Sequence, residues 1–436
     1  MSAAGQRGRH DLAAVIAHHR NEWCLGGIHR CRWNRGAHNA GNVLGEEFPN
    51  FEPRGVGRDV LDVHWSNLPT WRRQRRRFSV GSRQYGATMQ SNSADLIERP
   101  VTFAYDLRMR CGHCGQVSQL TGADYLRLND EAGAHMDCEH CAASIHFGPR
   151  AAAIRDSSDP ALDDVLVGRL AWYHTSTQAN WPESEDDYER VVRAQVTSLP
   201  HILGDPERVV RRKVTQALHV GTYEAAIENM HRRMHDQADG QANFYLHRVQ
   251  VNVASGRINP GLIDENDELV GQITMTDLRA RGLDAIRYLN VWEATGCVSL
   301  AVQRGVITKI QSTPIPVGRE ESQHSQHILD LLAALDRLAA RPGTADEIEW
   351  RSYDLATRLE DLLSAHYLPD VSSTVIDSFN SAMWRTQDRR GEDRRAFADT
   401  FARHAAVLTE SDRIICHLTT RPSRSVDSEG RTRNRN

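Results

Sequence analysis

Trp172-Tyr173-His174-Thr175-Ser176, His219-Val220-Gly221-Thr222-Tyr223-Glu224-Ala225-Ala226 and Tyr288-Leu289-Asn290-Val291-Trp292-Glu293 are the stretches whose reading decides the fold. The first reads as a strand that ends on a histidine. The second reads as a strand, a Gly-Thr turn and a helix opening on small residues, with Tyr223, Ala226, Ile227, Met230 and Met234 at helical spacing. The third brings one carboxylate, Glu293, into a strand pair. Around them, Asp205 is placed to cap a helix with Pro206 at its first position, which passes into a strand over Val214–Val220. Phe244–Val253 alternates as a strand, and Thr276 caps a short helix ending near Gly282, with Asp277 in its first turn. Ala285–Val291, Cys297–Val302 and Val306–Ile310 read as three more strands. Strands with a few helices, and no regular βαβ units, predict an α+β fold of two packed sheets.

In order and spacing the three stretches resemble the active-site segments of ADP-ribosyltransferase-like domains found in mobile-element and phage proteins. Gly282–Leu300 resembles their final motif, a helix end on Gly-Leu-Asp, a Tyr-x-Asn strand, a Glu, a Gly-Ser turn and a last strand. His219–Ala226 resembles their His-Phe-Gly-Thr-x-x-x-Ala segment, and Tyr173-His174-Thr175 the Tyr-His-Gly-Thr that opens them. Thr175 stands where a Gly is usual and Cys297 where a Ser is common. Val291, two residues before Glu293, is neither Glu nor Gln, so the likeness is to the His-type transferases and not to the arginine-modifying class.

The resemblance implies a split β-sandwich over residues 151–318 and NAD as the substrate. Breaking the nicotinamide–ribose bond builds positive charge on the ribose, an oxocarbenium-like state akin to that of glycosidases. A fixed carboxylate beside that ribose stabilises the transition state more than the ground state. Glu293 is the implied catalytic carboxylate, and His174 the group that hydrogen-bonds the adenosine ribose. Tyr173, Thr175 and Ser176 would assist it, Gly221 and Thr222 would let backbone approach the ligand, and His219 or Tyr223 would wall the nicotinamide.

Upstream, Cys111-Gly-His-Cys114 and Cys138-Glu-His-Cys141 are two C-x-x-C pairs separated by 23 residues. Each pair places two thiolates at the tip of a tight knuckle, and two knuckles close a tetrahedron around Zn²⁺. Val101–Met109 alternates like a strand into the first knuckle, and Ser144–Phe147 leaves the second in the same way. Residues 101–150 thus read as a zinc ribbon, and four thiolates leave His113 and His140 as spare ligands at best. Nearer the N-terminus, His19, Cys24, His29, Cys31 and His38 lie close together, and His19, Cys24, Cys31 and His38 form a candidate mixed site in a module over 1–45. Chance clustering is the competing reading, since the chain holds 21 histidines. Residues 46–100 carry Trp65, Trp71, Arg72, Arg73, Arg75, Arg76, Arg77, Phe78 and Tyr85. Arginines with interleaved aromatics suit phosphates and stacked bases, but the stretch reads first as a basic linker.

Composition bounds the rest. With 436 residues, 40% hydrophobic and 25% charged, the chain is globular and long enough for several folding units. A net charge of −4 does not by itself argue for nucleic acid. Of its 53 cations only Lys213 and Lys309 are lysine, so almost every cation is a planar fork suited to carboxylate or phosphate. Met1–His10 is polar with no leader pattern, no run is apolar enough to span a bilayer, and eight cysteines without a leader point to a reducing compartment. The expectation is a cytoplasmic protein. Residues 319–420 carry two strong helical apolar patterns, in Gln323–Ala340 and Glu347–Tyr367, and read as a helical bundle; from 421 to 436 the chain is polar and expected to be disordered.

The sequence therefore predicts an NAD-dependent mono-ADP-ribosyltransferase, or an NAD glycohydrolase, of toxin, phage or host-defence type. Zinc would be structural, and the acceptor a nucleic acid or a protein. The alternative is an inactive zinc-dependent binding scaffold.

Overall fold

Leu107 and Met109 alternate with arginines, and this period of two pairs β1 (Leu107–Arg110) with β2 (Val117–Leu120) so that Leu107, Met109 and Leu120 share one buried face. The computed structural model describes residues 96–131, 133–197, 205–236, 243–265, 270–317, 324–386, 393–426 and 432–433. The candidate site at His19, Cys24, Cys31 and His38 and the Arg72–Arg77 stretch lie outside the described residues. The strand expected over Val101–Met109 forms only from Leu107, because Thr102 and Tyr105 are drawn into bonds with a helix elsewhere in the chain. Between the knuckles, α1 (Gly122–Asp130) is capped by Thr121, and β3 (His135–Asp137) pairs with β4 (Ser144–His146).

A five-stranded sheet follows. It holds β5 (Trp172–Ser176), β7 (Phe244–Val251), β11 (Ile307–Ile315), β12 (Arg424–Val426) and β13 (Thr432–Arg433), in the order β13-β12-β11-β7-β5 and antiparallel throughout. The polar tail, from which the sequence predicts no structure beyond 421, thus supplies the two outermost strands on one side; β11 offers an open ladder that a polar segment can join through backbone bonds alone. The second sheet has the order β6-β10-β9-β8, with β6 (Leu218–Val220), β8 (Ile263–Asp264), β9 (Ala285–Leu289) and β10 (Val298–Val302); β8 runs parallel to β9 and the other pairs are antiparallel.

Trp172, Val249, Val251, Ile307 and Ile310 from the first sheet share one apolar cluster with Val220, Ala285, Val298, Leu300 and Val302 from the second. The opposite face of the second sheet is also covered, where Ile286, Tyr288 and Ala301 meet Val270, Ile273 and Leu278. Burial on both faces explains why β9 and β10 are mostly apolar without alternation, Arg287 and Ser299 being their buried polar exceptions.

The helices use their caps as the sequence requires, with one change. α2 spans Glu185–Thr197, and α3 (Pro206–Val214) is capped by Asp205, which accepts from the N–H groups of Glu207 and Arg208. α3 takes up Val214, so β6 is shorter than the strand expected over Val214–Val220. α4 is Tyr223–Asp236. α5 (Met275–Ala280) is capped by Thr274 and not by Thr276: Thr274 forms a reciprocal box with Asp277, which a cap two residues later could not reach.

The C-terminal helices are α6 (Gln326–Ala339), α7 (Ala345–Tyr367), α8 (Ser373–Thr386), α9 (Arg394–Thr409) and α10 (Ser411–Thr419). Tyr223, Ile227, Met230 and Met234 of α4 lie in one cluster with Leu107, Met109 and Leu120 of the ribbon and with Leu359, Phe379 and Phe401 of these helices. Changes of texture near 150 and 318 therefore fall inside one continuous core. The molecule is mixed α and β with open sheets, and among the described residues no helix is long and apolar enough to cross a membrane.

Candidate functional site

The cysteine centre is built by two copies of one local device. In each knuckle the residue two after the first cysteine donates its backbone N–H to that sulfur: His113 to Cys111 at 3.4 Å and His140 to Cys138 at 3.5 Å. Each turn then closes through a left-handed residue, Gly115 at φ +74° and Ala142 at φ +58°. Ala142 holds a conformation that costs a non-glycine residue on the order of 1 kcal/mol. The knuckles meet with Cys111 Sγ 3.7 Å from Cys141 Sγ and Cys114 Sγ 3.6 Å from Cys138 Sγ, and all four sulfurs lie within 4.8 Å of one another. A tetrahedron with metal–sulfur bonds of about 2.3 Å has edges of about 3.8 Å, so the donor set fits a metal ion such as zinc without rearrangement. The His140 N–H also pulls the Cys138 thiol down to about 6, against the effect of burial.

The second site gathers residues from many elements. His174, on β5, uses Nδ1 to donate to the carbonyl of His219 at 2.9 Å, and its ring stacks on Trp181 at 4.0 Å and 18°. Burial, reinforced by His247 and Arg233, holds it well below the usual histidine range, so it is a neutral ring with Nε2 as an acceptor. His219 shares a 3.0 Å hydrogen bond with the Tyr288 hydroxyl; burial lowers it to about 4 although the Glu293 charge nearby opposes the shift.

Backbone bonds join these segments. Tyr173 and Gly221 exchange both N–H···O bonds at 2.9 Å, a bridge between the two sheets. A Cβ on Gly221 would lie 2.8 Å from Ser299 Oγ and 2.9 Å from Ala225 Cβ, so close approach explains this glycine. Thr222 caps α4 through the N–H of Ala225 and lies 3.8 Å from Cys297 Sγ.

Glu293 sits in the turn Asn290–Gly296 between β9 and β10, where the sequence reading has it in a strand pair. The reason is Asn290, whose Oδ1 takes the N–H groups of Trp292 and Glu293 at 3.2 and 3.0 Å and folds the chain away from the ladder. Glu293 is 6% exposed, and its Oε1 accepts from Arg232 Nε at 2.5 Å and from Asn229 Nδ2 at 3.1 Å. A further carboxylate, Glu265, accepts the N–H of Val291 at 2.9 Å; burial first, then the Glu293 charge, raises it to about 8.

Other expected ligand groups are turned to structural work. The Tyr223 ring lies in the core between Phe103 and Tyr173, and its hydroxyl donates to the Val407 carbonyl at 2.9 Å. Tyr173 donates to Glu98 at 2.6 Å, Thr175 Oγ1 donates to the Ala226 carbonyl at 2.7 Å, and Ser176 Oγ accepts the N–H of Gln178. The structure thus links His174, His219, Gly221, Thr222 and the Glu293 turn through a chain of contacts, with the side chains of Tyr173, Thr175 and Tyr223 engaged elsewhere. The partners missed from the sequence are Asn229, Arg232, Glu265 and Trp181. Only the first two carried a signal, standing one helical turn beyond Ala225 and Glu228 on the face of α4 that opens at Gly221-Thr222. A shallow depression lined by Arg208, Arg211, Arg212, Thr215 and Thr274 lies around α3 and includes none of the site residues. Among known proteins, no family model, no curated protein and no solved structure matches this chain.

Proposed function

We propose that the chain is an NAD-dependent mono-ADP-ribosyltransferase or NAD glycohydrolase with a split β-sandwich of the ADP-ribosyltransferase type and a structural Zn²⁺ on Cys111, Cys114, Cys138 and Cys141. The observation that carries the reading is the contact chain that ties the neutral His174 ring to His219 and the Gly221-Thr222 turn, with the Glu293 charge felt at His219.

In the proposed reaction the bond between ribose C1′ and the nicotinamide nitrogen breaks, and nicotinamide leaves with the bonding pair as a neutral ring. Glu293 opposes the positive charge left on the ribose. The lone pair of water, or of an oxygen or nitrogen on a macromolecular acceptor, then forms the new bond to C1′ and releases its proton. His174, neutral and fixed by the His219 carbonyl, offers Nε2 to a ribose hydroxyl. Zinc held by four thiolates has no open position, so it supplies rigidity and no step.

One observation favours the rival reading of an inactive scaffold: the Glu293 charge is already paired with Arg232. NAD separates the two. An active or competent site gains stability as NAD increases, by about 2.7 kcal/mol at a hundredfold excess over Kd, so its thermal midpoint rises, and it releases nicotinamide. A midpoint unmoved by millimolar NAD, with no nicotinamide released, would favour the scaffold.

A further inference from the structure

The turn that carries Glu293 is held from outside its own hairpin. Ala294 is a non-glycine residue at φ +47°, and Gly296, at φ +88°, has no room for a Cβ, which would lie 2.7 Å from the Ala153 carbonyl. A backbone of this kind persists only where its surroundings over-determine it. Two groups do so here. The Ala294 N–H donates to Glu228 Oε2 at 2.7 Å, and the Gly296 carbonyl accepts the N–H of Arg155 at 2.8 Å.

Both lead back to the arms of the ribbon. The second oxygen of Glu228 accepts the Tyr105 hydroxyl at 2.6 Å, and one helical turn earlier Glu224 Oε1 accepts the N–H of Thr102 at 2.9 Å. Arg155 lays its guanidinium 4.0 Å over the Tyr105 ring, and its carbonyl accepts from Arg108 of β1, the strand that runs into Cys111. Tyr105 and Glu228 are each 8% exposed and Ala294 is fully buried, so water cannot replace a lost bond. From the next turn of α4, Asn229 and Arg232 hold the Glu293 carboxylate itself.

We propose that Tyr105 and Glu228 are positioning residues for Glu293, through which the arm of the cysteine ribbon sets the turn that presents the carboxylate. This rests on the proposed role of Glu293, but the coupling stands on contacts of its own. Neither residue touches the reacting atoms. Each acts on the backbone one residue beyond Glu293, so the consequence falls on the geometry of catalysis more than on ligand affinity.

The test is amide hydrogen exchange of the full-length, zinc-loaded protein, with nicotinamide release measured on the same samples. Tyr105→Phe removes one oxygen and leaves the ring under Arg155. It is expected to speed exchange in segment 290–296 by about tenfold, the effect of losing one buried hydrogen bond, while 298–302 and the ribbon strands stay as in the wild type. Glu228→Gln, which keeps acceptor capacity, should loosen the same segment less than Glu228→Ala. Where release is measurable, Tyr105→Phe should lower kcat by about tenfold with KM for NAD changed less than about twofold. Unchanged exchange over 290–296 in Tyr105→Phe overturns the proposal whatever the Glu228 variants do, as does a rise shared equally by 298–302. A wild type that releases no nicotinamide removes the proposed activity and leaves the exchange result to decide the coupling.

Discussion

The cysteine centre and the Glu293 site are assembled by opposite means. Each knuckle of the centre makes its own turn, its own N–H···S bond and its own left-handed residue within a few positions, so the only long-range step is bringing two finished halves together. At the Glu293 site only the turn is finished locally, by Asn290. Glu265 and Glu228 hold its neighbours' amides, and Asn229 and Arg232 its carboxylate, from far along the chain. The difference teaches where each fails: the centre through its four sulfurs, the Glu293 site through any of several distant partners.

The largest expected effect lies on the ribbon side. Structural zinc contributes about 10–16 kcal/mol of folding free energy in isolated modules, comparable to the total stability of a domain. Because Leu107, Met109 and Leu120 share a core with α4 and the C-terminal helices, its loss should reach the rest of the unit. Metal analysis should find one tightly held zinc, and Cys138→Ala or a chelator should lower the thermal midpoint by about 10 °C or more. A midpoint indifferent to chelator would show the ribbon to be energetically separate from the Glu293 site.

Glu293→Gln tests the proposed site. It keeps shape and hydrogen bonding but removes the charge, so nicotinamide release should fall by about 10²-fold or more, near 3 kcal/mol in the barrier, with NAD affinity nearly unchanged. Release at the wild-type rate would take Glu293 out of the mechanism. Gly221→Ala comes next. Its methyl group meets Ser299 and Ala225 at under 3.0 Å, so the Tyr173–Gly221 bridge must shift, at a cost of about 1–3 kcal/mol in chemical denaturation. An unchanged denaturation midpoint would mean the two sheets can part there freely, which the proposed site does not allow.

The smallest effect is in pH. His174 lies well below its usual range, His219 and His404 lie near 4, and His231 and His247 near 3, all chiefly through burial. The unfolded chain binds protons at these positions below about pH 6.5 and the folded chain does not, so stability is lost as pH falls from about 6.5 to 4. Glu228, near 7, and Glu265, near 8, act in the other direction. Folded, they keep protons that the unfolded chain releases above about 4.5, so they withdraw stability up to about pH 8. The thermal midpoint should therefore peak near about pH 6.5–7, and Glu265→Gln should flatten the alkaline limb while steepening the rise between about pH 4.5 and the peak. A midpoint still falling toward pH 8 in that variant by as much as in the wild type would show that Glu265 is not the group responsible.

What the sequence by itself determined is what short spacing can encode. Cys111, Cys114, Cys138 and Cys141 were legible as one candidate metal centre because two thiols three positions apart have few geometries. Asp205-Pro206 was legible as a helix start because the cap acts on its own next turn. The order of strands around His174, Gly221 and Glu293 was readable for the same reason, as local patterns repeated along the chain.

Tertiary structure decided the rest. Thr274 took the cap from Thr276 because only it reaches Asp277 with both halves of the box. Arg424–Val426 became a strand because β11 had a free edge, and nothing in a polar tail announces that. The partners of Glu293 come from positions 61 and 64 residues away on α4 and 26 residues from Val291 at Glu265. A carboxylate in a turn looks alike in sequence whether it faces water or an arginine. Its surroundings arise only when separate elements pack, and packing free energy depends on the whole set of contacts at once.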